Sequence, residues 1–224
     1  MKCIYRLIVF LMTFITSCQT MPVINLPILP ADEKNLTCPF PFLNRKYQLI
    51  YGIEIRAAGS IQGAIIGITV ADPATRFVEC SIMTIEGMVL FDAEAGPGTL
   101  KLNRALPPFD SADFAKNMIE DIKLIFFAPE GNIQIKGTLP NGSTVCRYLE
   151  ESGDWIDVIM DKSGEIEIRR YLSSSPLKRQ VKFNNKVGNI YQSIELNGIG
   201  MVNYTLIMTL IDAQMVKSEL TKKK

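Results

Sequence analysis

The 224-residue chain contains no histidine. That absence removes His-based catalytic triads, a His general base and His metal ligation at once. A surplus of charge of either sign is missing too. With 24 basic and 23 acidic residues the net charge is +1, so no basic excess is available for nucleic acid. There is no Cys-X-X-Cys pair and no metal-spaced cysteine cluster. Gly96-Pro97-Gly98 reads as a turn and not as a phosphate cradle, and Ser173-Ser174-Ser175 stands in a turn with no base beside it. Among Asp92, Asp110, Asp113, Glu120 and Asp121, the last two point to different sides of a helix, and Asp113 and Glu120 are expected to cap or solvate it. The expectation is a protein that is not an enzyme and takes no cofactor or metal.

What the chain does have is apolar: 47% of it is hydrophobic, part of this in the first residues. Residues 1–17 read as a signal peptide, with Lys2 and Arg6 in front of an apolar run from Leu7 to Ile15 that is too short to span a bilayer. Ile15-Thr16-Ser17-Cys18 follows, and it resembles a bacterial lipobox, with Ile and Thr where Leu and Ala or Ser are usual. The resemblance implies that Cys18 carries a diacylglyceryl thioether and an N-acyl chain. Each buried methylene is worth about 0.8 kcal/mol, so several acyl chains anchor a protein firmly. Gln19, in place of Asp, implies the outer membrane, periplasmic face. Ordinary secretory cleavage with Cys18 incidental is the alternative.

Residues 18–44, with Pro22, Pro27, Pro30, Pro39 and Pro41, read as an extended tether holding a domain off the membrane. From Arg45 the pattern is of strands. Tyr47, Leu49, Tyr51, Ile53 and Ile55 alternate with their neighbours, and turn signals recur through Ala58-Gly59, Asp72-Pro73, Glu86-Gly87, Gly96-Pro97-Gly98, Asn141-Gly142, Ser152-Gly153 and Ser163-Gly164. Short connections between consecutive strands predict antiparallel pairing. Counting predicts about eleven strands within residues 45–213, with Ser173 to about Asn189 a looser stretch and residues 214–224 a basic tail. Three cysteines of the mature chain besides Cys18 (Cys38, Cys80 and Cys146) allow a disulfide in an oxidising compartment, with pairing left open against buried free thiols.

One segment is helical. After Pro107-Pro108, Asp110 or Ser111 serves as cap, and Phe114, Met118, Ile122 and Phe126 recur at spacings of four, widened by Ile119 and Ile125. Ala115, Lys116, Glu120 and Lys123 fall on the other side, and Pro129-Glu130-Gly131 ends the segment. The stripe either packs on the protein's own sheet or lines an acyl-chain cavity, and Phe114, Met118, Ile122 and Phe126 are the candidate lining residues.

The order of these features (a lipoprotein signal, a strand meander, Glu86 to Asp92, a proline-bounded helix ending in Leu124-Ile125-Phe126-Phe127, then further hairpins) resembles the LolA/LolB-like family and, within it, a LolB-like branch of bacterial outer-membrane lipoproteins. The resemblance implies a mainly β fold: a strongly curved antiparallel sheet, an open half-barrel, with one main helix over its concave face and an apolar hollow that accepts acyl chains. It implies a membrane-anchored lipoprotein that binds, and in some members transfers, a lipid or acylated ligand. LolB-like proteins carry a protruding early loop with a large apolar residue. Here the loops at Ala57–Ser60, Pro73–Arg76 and Glu86–Gly87 are short and show no Leu or Phe at the tip, which points to binding and away from insertion. The other reading is a structural or assembly lipoprotein that docks another envelope protein without a ligand.

Overall fold

The structure, a computed structural model, describes residues 21–27, 36–200 and 203–216. The signal peptide, Cys18 and the lysine-rich end at residues 222–224 lie outside the described residues.

Among the described residues, twelve strands form one antiparallel sheet around a single helix. The first five are β1 (Tyr47–Ala57), β2 (Ser60–Asp72), β3 (Phe77–Met83), β4 (Val89–Gly96) and β5 (Thr99–Ala105). Helix α1 (Ala112–Phe126) follows. The rest are β6 (Asn132–Thr138), β7 (Thr144–Leu149), β8 (Trp155–Met160), β9 (Ile166–Tyr171), β10 (Leu177–Val187), β11 (Ile190–Gly198) and β12 (Tyr204–Met215). Spatial order is β5-β4-β3-β2-β1-β12-β11-β10-β9-β8-β7-β6. The path begins at the middle of the sheet, runs out to one edge, crosses on α1 to the other edge and returns. Each neighbour is a hairpin partner except at the seam, where β1 meets β12 from Tyr47↔Met215 to Ala57↔Tyr204. The edges β5 and β6 do not pair, so the sheet is open and not a closed barrel.

The sheet must curve. Phe91 on β4 and Arg170 on β9 both reach α1, through Phe114 and Glu120. Seven strand spacings separate β4 from β9, about 34 Å on a flat sheet. Phe114 and Glu120 are about 9 Å apart along the helix axis. Only a strongly bent sheet brings both walls to one short stretch of helix.

Alternation decides what lines the inner wall. Leu49 and Tyr51 of β1, Val78 and Cys80 of β3, Phe91 and Ala93 of β4, Val181 and Phe183 of β10, and Ile194 and Leu196 of β11 are buried in one core with Ala115, Ile119, Leu124, Ile125 and Phe126 of α1. Ser111 caps the helix, its hydroxyl accepting from the Phe114 N–H at 3.1 Å. At the other end the Phe126 carbonyl accepts from the Leu43 N–H at 3.0 Å.

Four expectations are revised. The stretch read as looser contains β10, so the count is twelve and not about eleven. The tether of residues 18–44 does not hang free where it is described. Asn25 bridges Thr138, Cys38 is bonded to Cys146, and Phe42 and Leu43 are buried in the core. The tail expected from residue 214 starts inside β12, where Gln214 pairs with Gln48. Ala115, placed by its spacing on the outer side, is buried, because a helix lying in a bent sheet is enclosed over a wider arc than a helix on a flat one.

Candidate functional site

The site is the contact between α1 and the concave wall. Its apolar part divides along the helix. Toward the N-terminus Phe114, Met118 and Ile122 are half-buried and pack against the core's margin. Phe114 meets Phe91 and Phe109 edge-on, with ring centroids at 6.0 and 5.1 Å. Toward the C-terminus Leu124, Ile125 and Phe126 are buried, and Phe126 lies 6.2 Å from the ring of Tyr51. The Tyr51 hydroxyl donates to the Tyr191 carbonyl at 3.2 Å, and burial pushes its own ionisation well up. The Tyr191 hydroxyl is buried with no hydrogen-bond partner, while its ring meets Phe183 at 4.8 Å and Lys186 Nζ at 5.4 Å.

The polar part of the contact pins the helix from the side of β9, β10 and β12. Asp121 accepts from Arg179 Nε at 2.7 Å and from the Tyr204 hydroxyl at 2.8 Å, and the Arg179 guanidinium lies 5.5 Å from the Tyr204 ring centroid. Gly198 permits this arrangement: a Cβ there would come within 2.2 Å of the Tyr204 ring. Burial pushes the Asp121 carboxyl up, outweighing Arg179, which favours the charged form. Glu120 and Glu150 share Arg170 at 3.4 and 3.7 Å, while Asp154 holds it at 2.9 Å. Burial raises the Glu150 carboxyl as well, against the pull of Arg170. Glu120 and Asp121, expected to be solvated or to point apart, are thus both turned to the sheet and fasten the helix to it.

Beyond the end of α1 is an open cleft of about 190 Å³. Phe42, Leu124, Phe127 and Ile156 are among its apolar lining, and Arg76, Lys123 and Arg170 face Glu120, Glu130, Glu150 and Glu151 in its charged lining. Arg76 sits in the left-handed region at φ 54°, stacks on Phe127 at 5.3 Å, donates to the Ala128 carbonyl at 2.9 Å and pairs with Glu130. Phe114, Met118, Ile122 and Phe126 do not line this cleft or two further hollows, of about 390 and 70 Å³, near β9 and β10. The structure brings the four together on one helix against one core, with Phe126 deep and the other three at the margin. The sequence reading missed Arg170, Arg179 and Tyr204, whose role depends on partners 50 or more residues away.

The loops also differ from their reading. The turn between β3 and β4 has neither Leu nor Phe, yet it exposes Ile85 at 68% and Met88 at 53%. The turn is closed by Gly87 N–H to the Thr84 carbonyl and Thr84 N–H to the Met88 carbonyl, both 3.0 Å, which leaves both side chains outside the sheet.

No protein-family model matches the chain, and no curated protein matches its sequence. Among solved structures it is similar to a LolA superfamily protein from Nitrosomonas europaea, with a TM-score of 0.51 and 10% identity over 79% of this chain and 88% of that one. It also matches an outer membrane lipoprotein-sorting protein domain from Vibrio parahaemolyticus, with a TM-score of 0.47 and 10% identity over 86% of this chain and 92% of that one. The first likeness is one of fold: the chain has a LolA-like architecture, an open antiparallel sheet with a helix in its hollow.

Proposed function

We infer that this chain is an outer-membrane lipoprotein, anchored at the periplasmic face through Cys18, whose domain binds a lipid or an acylated molecule between α1 and the concave wall and passes it on. The observation that carries the reading is the uneven seating of α1 in a LolA-like hollow. Its end from Leu124 to Phe126 is buried without a break and Asp121 is ion-paired, whereas before it only Ala115 and Ile119 are buried and Phe114, Met118 and Ile122 are half covered. The hollow is filled by the helix's own side chains, so uptake requires the N-terminal half of α1 to lift while the Asp121–Arg179 contact stays in place.

The magnitudes allow that exchange. Fully burying one large apolar side chain is worth about 1.5–3 kcal/mol, so exposing three half-buried ones together with the buried Ile119 costs about 4–8 kcal/mol. An acyl chain burying about ten methylenes returns about 8 kcal/mol.

A photoreactive fatty acid supplied to the membrane-bound protein tests this. Crosslinks are expected on residues 112–122 and should fall sharply in Phe114→Asp. Crosslinking that is absent, or that ignores this substitution, overturns the reading. A second reading, docking of another envelope protein, is favoured by β5, an unpaired edge strand with Leu100 and Leu102 exposed at 44% and 42%. A stoichiometric protein crosslink at β5 that survives Phe114→Asp would support it.

A further inference from the structure

Residues 21–27 are not a spacer. Asn25 and Thr138 exchange both backbone hydrogen bonds, at 2.8 and 3.0 Å, so this segment forms a bridge on the free edge of β6. Gly137 makes the approach feasible, since a Cβ there would come within 2.3 Å of the Asn25 carbonyl oxygen. Ile24 packs on Leu139, Val145 and Ile159, a small cluster separate from the main core. Upstream, the Pro22 carbonyl accepts from Arg147 Nη2 at 3.0 Å. Arg147 is itself fixed, because it is buried and forms a two-point pair with Asp157 at 2.6 and 2.7 Å. Only four peptide steps separate Cys18 from Pro22. Fully extended they reach about 14 Å, against about 90 Å for a free segment from Cys18 to Asn44.

We propose that the domain is clamped against the bilayer by its own β6 edge, so that the end of the sheet formed by the Leu139–Ser143 and Asp161–Glu165 turns faces the lipid headgroups. The partner is the lipid surface of the membrane that holds the anchor. Its fit is seen in the side chains turned outward there: Val23 and Leu26 on the docked segment are 76% and 66% exposed, and Lys162, beside Gly142, is exposed to the headgroups. The clamp fixes which way the hollow opens relative to the membrane, which a free tether cannot do. It rests on the anchoring of Cys18 inferred above.

The test uses the full, processed chain in vesicles of phosphatidylethanolamine and phosphatidylglycerol doped with a nickel-chelating lipid. Nitroxide labels are placed at Lys162→Cys and at Ser174→Cys, in turns at opposite ends of β9 and therefore about 20 Å apart. Relaxation by the headgroup nickel is expected to be several-fold stronger at 162 than at 174. Asn25→Pro, which removes the N–H given to Thr138 without touching the sheet, should abolish that difference while the protein stays with the vesicles. Gly137→Val should do the same. Equal relaxation at both sites in the unaltered chain, or a difference that survives both substitutions, overturns the clamp alone. A mass for the processed chain without acyl groups on Cys18 overturns the anchoring, and the clamp with it.

Discussion

Removing the Cys38–Cys146 bond should weaken the whole domain, and the size of the effect follows from chain length. The two cysteines are 108 residues apart, and a cross-link closing a loop of that order restricts the unfolded chain by about 4.7 kcal/mol at 25 °C. The folded side adds a local term. Phe42 and Leu43, four and five positions after Cys38, are buried, and the Leu43 N–H meets the last carbonyl of α1. Once the link is gone, this segment can detach and leave that carbonyl to water. In a protein of this size each kcal/mol moves Tm by about 2–4 °C, so Cys38→Ala/Cys146→Ala should melt about 10–20 °C lower. Trp155, the single tryptophan, lies on β8 beside the strand that carries Cys146 and reports unfolding in urea by fluorescence. The parent treated with a strong reductant should approach the double variant, and Cys80→Ala should behave like the parent, since Cys80 is a buried free thiol. If the oxidised parent and the double variant unfold within about 1 kcal/mol of each other, the segment is not stapled as described and the entropic argument fails.

Two further outcomes concern the ion pairs under α1. Arg179→Met leaves the Asp121 carboxylate buried without its cation and should cost about 3–5 kcal/mol in urea unfolding, whereas Arg179→Met/Asp121→Leu should cost clearly less than the sum of the two single changes. The pH dependence has a definite sign. Asp121 and Glu150 are both raised by burial, so the folded protein holds their protons more tightly than the unfolded chain does. Their contribution is fully present below the ordinary carboxylate range and is lost as pH rises through their elevated values. Mild acid should therefore tighten α1 on the sheet, and Asp121→Asn/Glu150→Gln should remove that part of the slope of stability against pH above about pH 4. A parent profile that parallels the variant's through this window would contradict the assignment.

Much of this architecture is legible in the sequence because strict alternation and Gly-containing turns are local signals. Tyr47 to Ile55 and the Asn141-Gly142 turn need no knowledge of distant partners. β10 escaped because one of its inward positions is Arg179, and Lys182, Asn184, Asn185 and Lys186 dominate its outer face. An arginine reads as surface until Asp121, 58 residues earlier, is known to face it. Ala115 carries too little apolar weight to mark a stripe, although it is enclosed. The prolines around Phe42 and Leu43 read as linker, and their burial is decided by a bond to Cys146 that no local pattern announces. Phe114, Met118, Ile122 and Phe126 were found by periodicity alone, which identifies the face of a helix but not how tightly it is covered.

The seam between β1 and β12 has a consequence for biogenesis. It joins the opening strand of the domain to its closing one, with Tyr47 opposite Met215. During synthesis, which proceeds from the N-terminus, the meander from β1 to β5 emerges with its central edge bare and must wait for about a hundred further residues before that edge is matched. Until then β1 offers unmatched backbone donors and acceptors and an isoleucine-rich surface to any strand nearby. Maturation of this protein thus ends with a zipper drawn shut down the midline, and holdase chaperones should be needed most in the interval before β12 arrives.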